Sequence, residues 1–539
     1  MNKSRAVAEE PEIILQLPDS ARGKPPQAAN FSRSRMALLG FFAVVMLAIG
    51  IRLFFVQRLV PGGLYDDGYI TLRYAANLAQ GRGFVYNEGQ PVWGTTTPLF
   101  TLVLSMAGRL FGVDALEMSA VLLGIGASVL FWCFLAATFE GQKVPRSISV
   151  PILLLVMFYP PYFENSLSGM ETPLVLALMA ASLLSYIKDR PYLLGILAAV
   201  LLLARIDTLI WIGILGLAFL IRHYHTDRPA ILKALAAFVV AALPWHIYAF
   251  LTFRSLIPQS LVGKAVSHDA FSHLDWSYFI HFYQVYFPVG RLGPFVWIGI
   301  LLTFVLMAAG LRDLWIDFPL LRPVGVFFFC FAAVFFCSKT PLYMWYFPPT
   351  QWIALLLACF GVRSVWDKWL ARNASLALRA IPYGVLALFI AARSAWADSQ
   401  IVQSRSALGP WAQIGDDIRV HTRQNAKVFL EHIGIVGFRS KRPILDNMGL
   451  VSPEIIELKR ESPDDYEWLR KALLKDPVPP DVVVLYEDQD PIKGTGDWGS
   501  MKNWFASNYD YHRTVGGDSA GDEESRKAFV YFRKGAYVP

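Results

Sequence analysis

The chain carries two adjacent carboxylates, Asp66 and Asp67, in the stretch Leu64-Tyr-Asp-Asp-Gly-Tyr-Ile-Thr-Leu-Arg-Tyr-Ala-Ala-Asn77. Like charges side by side at a membrane surface repel unless a cation, a metal or a substrate proton separates them. A carboxylate within hydrogen-bond reach of a hydroxyl takes its proton in a transition state. The pair therefore reads as a catalytic base and an orienting acid, with the two roles open between Asp66 and Asp67. A helix is expected from about Gly68 to Gln80, with Gly81 able to stop it. Spacing i, i+4, i+7 and i+11 puts Asp66, Ile70, Arg73 and Asn77 on one face. A carboxylate, a guanidinium and an amide thus share a stripe. The plainer readings are that Asp67 caps the helix and that Arg73 balances Asp66. Capping explains one acid and leaves the other.

These residues need a scaffold, and the composition says which kind. The chain has 539 residues, 55% hydrophobic and 17% charged, with a mean hydropathy of +0.41. A soluble domain carries about 25% charge. The deficit is concentrated in apolar blocks, and a helix crosses a bilayer with roughly 20 residues. The blocks lie at about 36–57, 118–138, 147–162, 171–187, 191–204, 206–222, 231–252, 293–311, 323–337, 345–362 and 379–394, which gives about eleven spans. Block 98–112 is short and holds Arg109; it is expected to lie along the membrane. The net charge of +7 sits largely in short loops. It reads as orientation charge rather than a nucleic-acid footprint. The four cysteines fall in apolar blocks and read as small core hydrophobes, with no disulfide framework.

With the N-terminus inside, the inner loops hold Lys143, Arg146, Lys188, Arg190, Arg222, Arg228, Lys233, Arg312, Arg322 and Arg363. The outer loops are poorer in Lys and Arg, as the positive-inside rule requires. The outer stretches are then 58–117, 163–170, 253–292 and the tail from 395. Residues 1–35 are expected to be a disordered cytoplasmic tail, 36–394 a transmembrane catalytic domain, and 395–539 a soluble periplasmic α/β domain. In that tail Val428–Leu430, Val482–Leu485 and Lys527–Arg533 read as strands. Ser452–Lys459 and Pro463–Lys475 read as helices opened by Ser-Pro.

The stretch from Asp66 to Asn87 resembles the first periplasmic loop of GT-C fold glycosyltransferases. Its nearest likeness is to mycobacterial-type arabinofuranosyltransferases that add terminal β-(1→2) arabinose. Supporting pieces follow in order: Gly94-Thr-Thr-Thr-Pro-Leu99, Ser168-Gly-Met-Glu-Thr-Pro-Leu174, Ala204-Arg-Ile-Asp207, Ser255-Leu-Ile-Pro-Gln-Ser260 with Lys264, Met344-Trp-Tyr-Phe-Pro-Pro349, and Asp446-Asn-Met-Gly-Leu-Val-Ser-Pro453. The likeness runs from about 60 to 490. It departs at Arg205-Ile-Asp207, where the family more often has Pro in the middle. The resemblance implies a GT-C-like polytopic α-helical membrane protein in a bacterial inner membrane, with its active site on the periplasmic face. It also implies a polyprenyl-phosphate sugar donor, inversion at the anomeric carbon, an aspartate base in the first loop, and a cell-envelope glycan such as arabinan as acceptor.

Inverting transfer from a phosphate needs one base and cations for the leaving group, whereas glycoside hydrolysis needs a second carboxyl acid. Arg73, Arg205 and Lys264, with Tyr346, are the candidates for donor phosphate; snorkelling to headgroups is the plainer role of the cations. Asn77, Glu171, Asp207 and Gln259 are the candidate substrate contacts. Asp66 and Asp67 with Glu171 would complete an oxygen site for a divalent cation (Mg, Mn or Ca). Tyr343, Trp345 and Tyr346 read as an aromatic belt. A transporter of lipid-linked sugars would instead place charged or broken helices at the midplane, in related halves. The sequence shows neither, and its acids gather at one face.

Overall fold

A computed structural model describes residues 40, 43–54, 63–267, 295–338, 343–370, 375 and 409–539, apart from 463–464, 475–478, 497, 500 and 517–526. The expected cytoplasmic tail 1–35 and the expected span 379–394 lie outside the described residues.

The apolar blocks become helices: α3 (Leu116–Gly141), α4 (Arg146–Phe158), α5 (Pro160–Leu167), α6 (Thr172–Ile187), α7 (Pro191–Ala204), α8 (Leu209–His223), α9 (Arg228–Phe253), α11 (Phe295–Asp317), α12 (Arg322–Ser338) and α13 (Pro348–Val362). Pro opens α5, α6, α7, α9 and α13 within the first two positions, where its missing N–H costs no hydrogen bond. Among the described residues, the four segments Val113–Gly141, Ile206–His223, Arg228–Phe253 and Pro319–Cys337 are long and apolar enough to cross a membrane, and shorter apolar helices accompany them. The protein is therefore a helical membrane protein. Cys133, Cys330 and Cys337 are exposed and only Cys359 is buried, which corrects the expectation of four core cysteines.

Two helices sit between the first apolar helix and α3. The first, α1, runs Asp66–Ala79. The second, α2 (Pro98–Phe111), buries Phe100, Leu104 and Gly108 and exposes Leu102, Met106, Leu110 and Phe111. One packed face and one exposed apolar face suit a helix that lies along a bilayer surface. The short helix α10 (Gln259–Ser267) follows α9.

The C-terminal region is an α/β domain. Its strands β1 (Val428–Leu430), β2 (Ile444–Asp446), β3 (Val482–Tyr486), β4 (Tyr509–Val515) and β5 (Ala528–Arg533) form one sheet in the order β2-β1-β3-β5-β4. The β1–β2 and β1–β3 pairs are parallel, and β5 runs antiparallel to both β3 and β4. Central β3 is an unbroken apolar run because both its faces are covered. Edge strand β4 is exposed over most of its length and carries Asp510, His512 and Arg513. Phe429, Ile455, Leu469, Val483, Trp498, Phe505 and Tyr531 form the core beneath helices α16 (Pro453–Glu461) and α17 (Asp465–Leu474). The sequence reading gave β1, β3, β5 and both helices; it did not give β2, β4, α14 (Gly409–His421) or α15 (Ile433–Ser440).

Candidate functional site

Helix α6 starts, α7 ends, α8 starts, α12 ends and α13 starts around one cavity of about 200 Å³. Five helix ends at one end of a bundle bring polar loop residues together without placing charge in the apolar middle. The walls are Asp67, Ile70 and Thr71 of α1, the threonines 95–97, Met170 and Glu171 before α6, Arg205 and Asp207 between α7 and α8, Ser260 and Lys264 of α10, and Trp345 and Tyr346 before α13.

Asp67 faces this cavity. It does not cap α1: the helix begins one residue earlier, Tyr65 is the N-cap, and no side chain caps it. Lys264 Nζ lies 3.7 Å from Asp67 Oδ2 and 5.5 Å from the centre of the Tyr343 ring. Burial works against the Lys264 charge, but Tyr346, Asp67 and nearby groups outweigh it and raise the amine above its ordinary pKa. Lys264 is thus a fixed cation beside the carboxylate. Arg205, itself buried, donates from Nε to Asp207 Oδ1 at 2.7 Å and from one Nη to Thr172 Oγ1 at 3.3 Å and the Trp345 carbonyl at 3.2 Å. Glu171 Oε1 is 3.6 Å away, and the Tyr346 ring centre 5.8 Å. The other oxygen of Asp207 and the Ser260 hydroxyl are buried without a hydrogen-bond partner among the described residues. A buried polar atom without a partner costs about 1–3 kcal/mol.

Three of the residues expected at the site face the other way. Asp66 accepts from the backbone N–H of Gly434 at 3.0 Å and of Ile435 at 2.8 Å, at the start of α15. His432 Nδ1 is 3.9 Å from the same carboxylate. Burial pushes the Asp66 carboxyl up to about 7, against the two N–H bonds that favour its charge. A Cβ on Gly434 would sit 1.8 Å from the Asp66 carbonyl oxygen, so only glycine permits this approach. Arg73 donates to the carbonyls of Tyr86 (2.9 Å), Gly437 (2.6 Å) and Arg442 (2.7 Å), and to Asn87 Oδ1 at 3.3 Å, with its guanidinium over the Tyr86 ring. Its donors are committed to the protein, which removes it from the phosphate candidates. Asn77 donates to the carbonyls of Val85 and Tyr86, each at 2.9 Å, and so folds the loop after α1 rather than meeting substrate. Gln259 anchors the chain through its backbone N–H to the Trp93 carbonyl at 2.7 Å and is not in the cavity wall; the next residue, Ser260, is.

Of the three carboxylates expected to hold a divalent cation, Asp66 binds α15, while Asp67 and Glu171 line the cavity beside Lys264 and Arg205. Among the described residues no three His, Cys, Asp or Glu side chains gather as a metal site. Trp345, read as a belt residue, and Tyr346, read both as belt and as a donor-phosphate candidate, line the cavity.

The sequence reading gave no role to Ser260, Met170 or Leu450. Leu450 closes the cavity from the C-terminal domain. Its loop is braced by Asp446, whose carboxylate accepts from the N–H groups of Met448 (2.8 Å) and Val451 (2.9 Å). Met170 lines both this cavity and an apolar groove of about 610 Å³ between α2, α3 and the start of α6. The only hint in the sequence was that each sits inside a quoted motif.

A family described as a domain of unknown function, DUF8728, matches residues 395–531. The terminal β-(1→2)-arabinofuranosyltransferase of Mycobacterium tuberculosis is 29% identical over 228 residues, a match that covers 38% of this chain and only 36% of that protein's length. Among solved structures, ArnT from Cupriavidus metallidurans bound to undecaprenyl phosphate aligns over 90% of this chain and 97% of its own, with a TM-score of 0.54 at 11% identity. Its apo form gives 0.53 over 92% and 98%, at 13% identity. The archaeal oligosaccharyltransferase AglB from Archaeoglobus fulgidus gives 0.50 over 90% of this chain and 74% of its own, at 12% identity. At these identities the likeness establishes the fold. The chain therefore has the GT-C fold of membrane glycosyltransferases, and over the matched 228 residues it is similar to a terminal arabinofuranosyltransferase.

Proposed function

We propose that this chain is an inverting glycosyltransferase that moves a sugar, arabinofuranose, from a polyprenyl-phosphate donor to a cell-envelope glycan. The observation that carries the reading is the position of Met170, shared between a polar cavity holding Asp67 and an apolar groove. A lipid-linked sugar has those two halves, joined at a phosphate. The tail would lie along Phe100, Val103, Leu122 and Leu130, and the phosphate would meet Lys264 and Arg205. The bound undecaprenyl phosphate of the ArnT structure supports a donor of that class.

In this reading Asp67 takes the proton of the acceptor hydroxyl as its oxygen bonds to the anomeric carbon. The bond from that carbon to the phosphate oxygen breaks on the opposite side, and the departing phosphate keeps the electron pair. Its charge grows against the fixed cations Lys264 and Arg205, which need no reorganisation to meet it. Asp207 and Ser260 of the cavity wall are the candidate contacts for sugar hydroxyls. No step is routed through a metal. The active face is the periplasmic side of a bacterial inner membrane, which the loop charges support. A transporter of lipid-linked sugars is not favoured, because the polar groups sit at helix ends.

The test is transfer in vitro by the detergent-solubilised full chain, using a panel of polyprenyl-phosphate sugars and linkage analysis of the product. A β-(1→2)-linked arabinofuranose is the expected product. Transfer of a different sugar would keep the reaction class and overturn the sugar; transport without transfer would overturn both.

A further inference from the structure

The cavity that holds Asp67 takes one wall from the C-terminal domain. Leu450, in the loop that joins β2 to α16, lines it and is 8% exposed. That loop is braced from within. Asp446 is fully buried, and its carboxylate ties down Met448 and Val451 while its own N–H donates to Ser452 Oγ at 3.0 Å. The N–H of Asn447 donates to the Leu430 carbonyl at 3.0 Å and fastens the loop to β1. Gly449 has a φ of +72°, and a Cβ there would stand 2.5 Å from Ile456 Cδ1, so only glycine fits between the turn and α16.

The loop is also seated on the chain around the cavity. Just before the threonines of the cavity wall, a Cβ on Gly94 would stand 2.6 Å from Val451 Cγ1 and 2.7 Å from the Leu450 carbonyl oxygen. Leu450 Cδ2 lies 3.2 Å from the Cβ position of Gly263, the residue before Lys264. A side chain wedged in this way has no room to retreat. Its neighbours say what it meets. Lys264 is the cation assigned to the donor phosphate, and the sugar is bonded directly to that phosphate, so a wall beside Lys264 is a wall beside the sugar. The space is about 200 Å³, below the roughly 300–1,000 Å³ of pockets that take drug-sized ligands. A leucine side chain has neither donor nor acceptor for a hydroxyl. It acts on a sugar through its volume.

We propose that Leu450 is a specificity-determining residue, the wall that limits the donor sugar to a pentose. The proposal rests on the transferase reading for its donor, and its test separates the two. The measurement is kcat/KM of the detergent-solubilised full chain for polyprenyl-phosphoryl arabinofuranose and for its homologue with one more hydroxymethyl group at C5. Wild type should favour the pentosyl donor. Leu450→Ala should raise the hexosyl-to-pentosyl ratio about tenfold, the discrimination that one methylene in an apolar pocket commands. Leu450→Val removes less volume and should move the ratio the same way by less; it decides where Leu450→Ala does not fold. An unchanged ratio, equal losses on both donors, or a change confined to the acceptor KM overturns the wall. So does a wild type that uses both donors equally well. If the chain transfers neither sugar, the transferase reading falls, and calorimetric titration of the two donors decides for Leu450. A hexosyl-to-pentosyl affinity ratio about tenfold higher in Leu450→Ala upholds the wall. The same ratio in both proteins, or binding of neither donor, removes it.

Discussion

The two faces of α1 perform opposite tasks with similar residues. On one side Asp67, Ile70 and Thr71 look into a small cavity with Lys264 and Arg205 close by. On the other, Asp66, Arg73 and Asn77 hold loops and the C-terminal domain through backbone groups. The polar stripe that looked most like chemistry is assembly. The acid that looked most like a helix cap is the one in the cavity. A charged side chain whose capacity is taken up by backbone N–H and C=O groups cannot also serve a substrate, so hydrogen-bond satisfaction separates the two roles.

That contrast can be broken in three ways. The largest expected effect is on catalysis: Asp67→Asn should reduce the transfer rate by about 10²- to 10⁴-fold, the usual contribution of a positioned base. Asp66→Asn should keep most of the activity of wild type, measured with the same donor. Equal losses in the two variants would erase the distinction between the faces.

Next comes the seam. Arg73→Ala strands several buried carbonyls, and a Cβ on Gly437 would meet the Tyr86 hydroxyl at 2.0 Å and the Arg73 guanidinium at 3.0 Å. Arg73→Ala should destabilise the detergent-solubilised chain by about 3 kcal/mol or more. Gly437→Ala should fall in the same direction. Thermal unfolding reads both, and an unchanged midpoint for Arg73→Ala would return that residue to the phosphate candidates.

The smallest effect is a pH dependence. Burial raises the Asp66 pKa to about 7 in the folded protein, from 3.8. A raised folded pKa means that the folded state binds more protons than the unfolded state between those values. The contribution of Asp66 is fully present below about pH 4 and is lost as pH rises through 7. The stability of Asp66→Asn relative to wild type should therefore climb from pH 4 to 7 and level off above. A flat difference across that window would mean that the two N–H bonds from α15 outweigh burial.

Parts of the architecture were legible because they follow from local rules. The apolar blocks within the described residues became helices near their expected limits, and 98–112 became a helix with an exposed apolar face. Strands β1 and β3 were readable as short continuous apolar runs. Strand β4 was not, because an edge strand carrying Asp510, His512 and Arg513 has no hydrophobic period to detect. Helix α15 was missed for a similar reason: Ile433-Gly-Ile-Val-Gly has two glycines that argue against a helix. The structure shows why they are there, since a Cβ on Gly434 or Gly437 would collide with Asp66 or with Tyr86.

The sequence by itself determined that this is a polytopic helical membrane protein with an α/β tail, and that Asp66–Asp67, Arg205 and Lys264 lie outside the apolar spans, with Glu171 at the start of one. Hydrophobic length and charge placement are properties of each segment alone. Only the tertiary structure decided which aspartate faces the cavity, that Arg73 is a clamp, and that Leu450 from far along the chain closes the site. Those outcomes depend on which distant backbone groups reach each side chain first, and a one-residue step around a helix, about 100°, is enough to reverse them.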